Sequence, residues 1–299
     1  MPARERAAIK AELTPPFSIF EPERHSSPLV FCSPHSGRIY PGYFLESAQL
    51  DAHTLRRSED CYVDHLFGCV PAYGAPLIAA LFPRAYLDVN REPYELDPVL
   101  FCEPLPEYAN PHTTRVIGGL GTIARIVGDG TEIYRDVPTL DAALERIKGL
   151  YLPFHAALDG LIQRTRDRFG YAVLIDCHSM PSNSMSSERR QRPDIVLGDR
   201  FGTACDSLLT AFVQRAFSDR GYAVHVNRPY AGGFITEHYG RPTSGVDALQ
   251  IEINRGLYLN EDTLEPNSGY QQVLHDIEQV VAGLAQDLPG QFDRAAAAE

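Results

Sequence analysis

Two histidines stand where hydrophobic runs give out. Leu29-Val-Phe-Cys-Ser-Pro-His35-Ser-Gly37 and Tyr171-Ala-Val-Leu-Ile-Asp-Cys-His178-Ser-Met180 each read as a buried strand that breaks into a loop at the imidazole. Ligands of open α/β sheets gather outside the carboxyl ends of the strands. Two strand-end histidines from distant stretches can therefore point into one crevice. Neutral imidazole is a good zinc ligand, and a catalytic zinc takes about three protein ligands while keeping one position open. For the third ligand Asp60 is attractive, in Arg57-Ser-Glu-Asp-Cys-Tyr-Val-Asp64, with Glu59 and Asp64 as competitors. One strand-end histidine alone is more often a hydrogen-bonded structural residue, and the Asp60 segment alone a solvated helix face. The pair of histidines is what argues for a metal.

Hydrolysis at such a centre also needs a group that takes a proton from water and passes it to the leaving amine. Glu252 fits. In Leu249-Gln-Ile-Glu252-Ile-Asn-Arg255 the alternation of a strand puts Gln250, Glu252 and Asn254 on one face. A carboxylate inside an apolar strand is costly unless it is paired or functional; the competing reading is a buried Glu–Arg pair. Asn90-Arg91 follows a β-like stretch, and an arginine fork beside an amide suits a carboxylate ligand. Arg125, in a glycine-rich loop, and Arg255 are further cations able to hold substrate or an oxyanion. Two other patterns carry little. Gly119-Leu-Gly121 fails the spacing of a dinucleotide loop. Cys177 and His178, as strand neighbours, point to opposite faces and make a poor thiol–imidazole pair.

The elements that must position these groups alternate. Strands are expected near 28–33, 76–81, 84–89, 171–177, 194–198, 223–227 and 248–254, and helices over 47–70, 138–168, 201–219 and 266–287, with Thr139 as an N-cap. Residues 92–137 and 228–244, rich in Pro and Gly, read as long loops. Strands separated by helices argue an α/β fold with a largely parallel, covered sheet. The 299 residues are expected to form a single domain, with an irregular lead-in over 1–25 and a frayed, Ala-rich tail over 288–299.

Composition narrows the partners. A net charge of −12 speaks against nucleic acid or an anionic membrane as the main partner, while leaving room for a local basic pocket. No apolar run approaches the roughly 18–20 residues that span a bilayer, and the charged start lacks the apolar core of a signal peptide. The six cysteines show no CxxC and no dense spacing, so a cytoplasmic protein with reduced thiols is expected.

Seven blocks together resemble the N-formylglutamate amidohydrolase family. They are Ser33-Pro-His-Ser-Gly37 with Tyr40-Pro41, Asp60-Cys-Tyr-Val-Asp64, Asp88-Val-Asn-Arg-Glu-Pro93, Gly119-Leu-Gly-Thr-Ile-Ala-Arg125, Asp176-Cys-His-Ser-Met180, Pro229-Tyr-Ala-Gly-Gly-Phe-Ile-Thr236 and Leu249-Gln-Ile-Glu-Ile-Asn-Arg-Gly-Leu-Tyr258. One block would mean little; seven in family order are specific. The resemblance implies a three-layer α/β sandwich with a mixed, largely parallel sheet, like that of the zinc carboxypeptidases and the aspartoacylase group. It implies one zinc ion on His35, Asp60 and His178, with Glu252 as general base; Arg125, the cation of the glycine-rich loop, is expected to be a second catalytic group. Asn90-Arg91 resembles the pair that grips the substrate carboxylate in the zinc carboxypeptidases, and Arg255, as a further cation, is also expected to bind substrate. Position 38 is Arg, so the His-x-x-Glu segment of the carboxypeptidases is not matched and the third ligand must come from elsewhere; Asp60 fits the family block better than Glu59. The implied reaction is hydrolysis of N-formyl-L-glutamate, a small anionic N-acyl amino acid, to formate and L-glutamate in histidine degradation. Its rivals are a metal-dependent deacylase or carboxypeptidase on another N-acyl amino acid or peptide, and a non-catalytic protein that binds an acidic metabolite.

Overall fold

The apolar runs pair as strands because each can bury both faces only inside a sheet. In the computed structural model, which describes residues 2–128, 130–183 and 192–288, seven strands form one sheet. They are β1 (Phe17–Phe20), β2 (Leu29–Ser33), β3 (Leu77–Ala80), β4 (Ala172–Met180), β5 (Ile195–Gly198), β6 (Val224–Val226) and β7 (Val246–Asn254), in the order β1-β3-β2-β4-β7-β5-β6. β2 and β4 are parallel, as are β4 and β7, and β5 and β6; β5 runs antiparallel to β7. The fold is therefore α/β with a mixed sheet. Every residue of β2 and β4 is buried.

The helices are α1 (Pro2–Glu12), α2 (Gly42–Ser47), α3 (Ala52–Arg56), α4 (Val63–Leu66), α5 (Thr114–Ile117), α6 (Leu140–Arg146), α7 (Leu152–Phe169), α8 (Ser207–Ser218), α9 (Phe234–Tyr239) and α10 (Tyr270–Gln286). None of the described helices is long and apolar enough to cross a membrane. The chain divides into two compact units. The first comprises Met1–Ser18, Pro34–Cys61 and Ala79–Leu158; the second comprises Ile19–Ser33, Tyr62–Ile78 and Asp159–Glu299.

In the second unit, helices lie on both faces of the sheet. Phe67, which ends α4, packs on Phe31 of β2 with ring centroids 6.0 Å apart, and α10 packs beside α4. On the opposite face Thr236 of α9 donates to Asp176 Oδ2 of β4 at 3.3 Å. In the first unit, α1 packs on α6. Their shared core holds a buried ion pair, Arg146 Nε donating to Glu5 Oε1 at 2.7 Å.

Several expected elements differ. The lead-in contains α1 and β1, because its prolines fall at the start of α1, where they are tolerated, and beyond its end. The 47–70 helix is instead α2, α3 and α4: Asp51 caps a new start by accepting from Thr54 N, and Tyr62 sits in the left-handed region at φ 64°. Residues 84–89 form no strand; Tyr86 N and Leu87 N both donate to Pro83 O, closing a turn. The 138–168 helix is present, capped by Thr139, but passes through one π turn between α6 and α7. The 201–219 helix begins only at Ser207, and the 228–244 loop contains α9. Residues 289–299 of the expected tail lie outside the described residues.

Candidate functional site

β2 and β4 run parallel with Cys32 opposite Asp176, so the residues that follow Ser33 emerge beside the C-terminal half of β4. His35 is the second of them. Its turn is pressed against the backbone at Phe82: a Cβ on Gly37 would stand 2.1 Å from Phe82 O, so no side chain fits there. Asp60 N donates to His35 O at 3.0 Å, which ties the Asp60 segment to that turn.

β4 does not break at His178, as the sequence suggested, but runs on to Met180. His178 therefore keeps the strand's alternation and shares a face with Asp176. Its Nε2 lies 2.9 Å from Asp176 Oδ1. His35 Nε2 lies 2.8 Å from Asp88 Oδ1. Both rings are 3% exposed or less. A carboxylate accepts only, so the hydrogen bond to Asp88 puts the proton of a neutral His35 ring on Nε2 and its lone pair on Nδ1. A carboxylate behind an imidazole is the arrangement that orients metal-binding histidines.

His35, Asp60 and His178 each offer one ligand atom, and these atoms lie within 4.8 Å of one another. The three are buried, and they are the one such group of acidic, imidazole or thiol side chains among the described residues. The donor set fits a divalent zinc ion. His35 Nδ1 lies 3.4 Å from Asp60 Oδ2, so the lone pair left by the bond to Asp88 faces a carboxylate oxygen. Two acceptors so placed repel one another unless a cation lies between them. Glu59 is not in the group: it accepts from Tyr40 Oη at 2.7 Å and from Arg56 Nε at 3.2 Å. Asp64 is not in it either.

Asp88 joins several of these groups. Oδ1 accepts from His35 Nε2 and from Asn90 N at 2.8 Å, and Oδ2 accepts from Arg84 Nη2 at 2.8 Å. Burial alone would push its pKa up, but Arg91, His35 and Arg84 hold it well below the usual carboxylate range. Arg91 is buried; its Nε donates to Leu120 O and its Nη1 to Asn90 O. Nη2 lies 3.4 Å from Asp88 Oδ2. A guanidinium has five N–H donors, so this one retains capacity for a substrate carboxylate. Arg125 Nε donates to Asp97 Oδ2 at 2.8 Å, and its Nη1 lies 3.4 Å from Glu132 Oε1.

On β7, Glu252 stands opposite His178 and Gln250 opposite Asp176. Gln250 Nε2 donates to Glu252 Oε1 at 2.9 Å. Arg255 Nε donates to Ser179 Oγ at 2.9 Å. The side chains that sequence reasoning passed over are those behind the predicted ones: Asp88, Asp176 and Gln250. Each lies two residues from a predicted one (Asn90, His178, Glu252), and in the strand cases that spacing means a shared face.

This chain matches the model of a known family, N-formylglutamate amidohydrolase, over residues 27–259. It is 27% identical to an N-formylglutamate deformylase of Pseudomonas aeruginosa, across 80% of this chain and 85% of that protein. It is also 27% identical to one of Pseudomonas putida, across 85% and 89%. The crystal structure of an N-formylglutamate amidohydrolase from Ralstonia eutropha JMP134 superposes with a TM-score of 0.86 at 37% identity, covering 91% of this chain and 97% of that one.

Proposed function

The chain belongs to the N-formylglutamate amidohydrolase family, and on that footing we propose that it hydrolyses N-formyl-L-glutamate to formate and L-glutamate. We further propose that His35, Asp60 and His178 hold a zinc ion. The observation that carries the reading is the buried grouping of two imidazoles and a carboxylate within 4.8 Å, each imidazole backed by its own aspartate.

Zinc, when bound, supplies Lewis acidity, polarising an amide carbonyl and bringing the ionisation of water toward neutral pH. The remaining work falls to side chains. Glu252 accepts a proton from the attacking water as its oxygen bonds to the formyl carbon. The same proton goes to the glutamate nitrogen as the C–N bond breaks, and the second proton of the water, carried by the formic acid released, passes to the amine to give formate and an ammonium group. Asn90, Arg91 and Arg255 bind the substrate carboxylates; Arg125 steadies the charge on the former carbonyl oxygen. Asp88 and Asp176 hold the two imidazoles. The family resemblance implies a place in histidine degradation, the cysteine pattern points to the cytoplasm, and the length of the chain points to one domain.

The test is formate release from N-formyl-L-glutamate by zinc-loaded protein beside a chelated sample. Activity lost to the chelator and restored by zinc supports the reading. Folded, zinc-loaded protein that releases no formate sinks the substrate, and full activity in the chelated sample sinks the metal.

A further inference from the structure

One side chain, Gln250, bonds both to the glycine loop after β6 and to Glu252. Its antiparallel partner on β5 is Gly198, where a Cβ would stand 2.5 Å from Gly232 N and 2.7 Å from Ala231 C. The space a side chain would fill is taken by loop backbone. That seats the loop against the sheet, and Gly233 N donates to Gln250 Oε1 at 2.7 Å. An amide has an acceptor end and a donor end. The loop N–H can be met only by the oxygen, so the nitrogen turns the other way and donates to Glu252 Oε1 at 2.9 Å. Flipping the amide would set N–H against N–H and oxygen against carboxylate. Gln250 is 4% exposed and Glu252 8%, so water offers little substitute for either bond.

We propose that Gln250 is a positioning residue for Glu252: the glycine loop fixes its amide, and the amide pins one carboxylate oxygen so that proton transfer falls to the other. The proposal rests on the reading of Glu252 as the base. A role limited to anchoring the loop makes a different prediction, because Gly233 N–H needs only an acceptor at position 250.

Gln250→Glu separates the two. It keeps an oxygen for Gly233 N–H and replaces the donor facing Glu252 with a second carboxylate. The expected result is a folded enzyme whose kcat for formate release falls about 10- to 100-fold, as for a misplaced catalytic group, with KM within about threefold. Gln250→Met is expected to lose kcat by a similar factor. In a Glu252→Gln background, either change is expected to alter the residual kcat less than about threefold, because the group it positions is gone. Circular dichroism and Tm accompany each variant. Should Gln250→Glu fail to fold, the cycle with Gln250→Met decides. Gln250→Glu with kcat within about threefold of wild type overturns the proposal. So do losses that recur in full in the Glu252→Gln background. A Glu252→Gln enzyme that keeps wild-type kcat overturns the base reading itself, an outcome visible without any change at position 250.

Discussion

His178 and Glu252 are register partners on the parallel strands β4 and β7, so an imidazole and a carboxylate rise side by side from one face of the sheet. Asp176 and Gln250 form the next pair down the same face. The sheet thus carries a row in which His178 and Glu252 each have a polar neighbour two residues behind them.

From that pairing, Glu252→Gln should cost about 10²- to 10⁴-fold in kcat, the usual range for a general acid–base group. The amide is nearly isosteric and still accepts from Gln250 through its oxygen, so KM and zinc content should stay close to wild type. Steady-state kinetics together with metal analysis check this. A kcat within a few-fold of wild type would remove Glu252 from the mechanism.

Asp176→Asn and Asp88→Asn should weaken zinc binding rather than abolish it. Each keeps the shape of the group behind an imidazole but removes the charge that fixes its tautomer and raises its basicity. Losses of outer-shell partners typically cost about 10- to 100-fold in metal affinity. Competition for zinc against a chromophoric chelator measures the effect without recourse to activity. Unchanged affinity in both variants would mean that these carboxylates do not serve the metal.

Gly37→Ala should be poorly tolerated. The new Cβ would meet Phe82 O at 2.1 Å, and backbone cannot yield as a flexible side chain can. Overpacking typically costs about 1–3 kcal/mol, so Tm should fall by several degrees. Because the same turn carries His35, zinc affinity should drop with it. A variant with wild-type Tm and zinc affinity would show that the turn does not need glycine.

How far the sequence could be read follows from which interactions are local. β2, β4, β5 and β7 were legible because each is a run of apolar residues ended by turn formers. His35 and His178 were legible because a polar ring in such a run is out of place. Asp88 was not, since its role comes from a contact with His35, 53 residues away. The stretch 84–89 alternates like a strand, yet Pro83 O captures two following N–H groups and makes it a turn. The 47–70 stretch has helical spacing throughout, but left-handed Tyr62 interrupts it. Non-glycine residues adopt that conformation seldom, and nothing in their type announces it.

Asp247 supplies a pH-dependent test of stability. Burial pushes its carboxyl above the usual range, opposed by the hydrogen bond from Asp206 N, which lies 2.6 Å from Oδ1, and reinforced by the charge of Asp206. An acid whose folded-state pKa is raised binds more protons folded than unfolded. Stability therefore falls as pH rises from about 3.9, the unfolded value, through the folded pKa, and the cost is complete above it. Asp247→Asn keeps an oxygen for Asp206 N–H and removes the charge. Its Tm should exceed wild type by about 1–3 °C at pH 7, and the gain should vanish as pH falls below the unfolded value. An equal difference at both ends of the range, or a loss at pH 7, would show that burial of this charge is not what the site opposes.

Glu5 shows why the first residues matter to the fold. The carboxylate is fully buried. It accepts from Arg146 Nε at 2.7 Å and from Tyr86 Oη. Arg146 also donates to Tyr86 O at 3.1 Å and to Tyr134 Oη at 2.9 Å, with its guanidinium carbon 4.0 Å from the centroid of the Tyr86 ring. Removing one member of a buried pair strands the other, at about 3–5 kcal/mol. Glu5→Ala should therefore lower Tm by about 5–8 °C, although it lies at the start of the chain. Replacing both partners with apolar residues strands no charge, only the neutral groups of Tyr86 and Tyr134 that bonded to the pair, so Glu5→Leu combined with Arg146→Met should recover part of the loss. Thermal unfolding of wild type, both single variants and the pair closes the cycle. If the double variant is no more stable than Glu5→Ala, the cost of the single change does not come from a stranded guanidinium. The tyrosines around the pair would then be what holds α1 to α6.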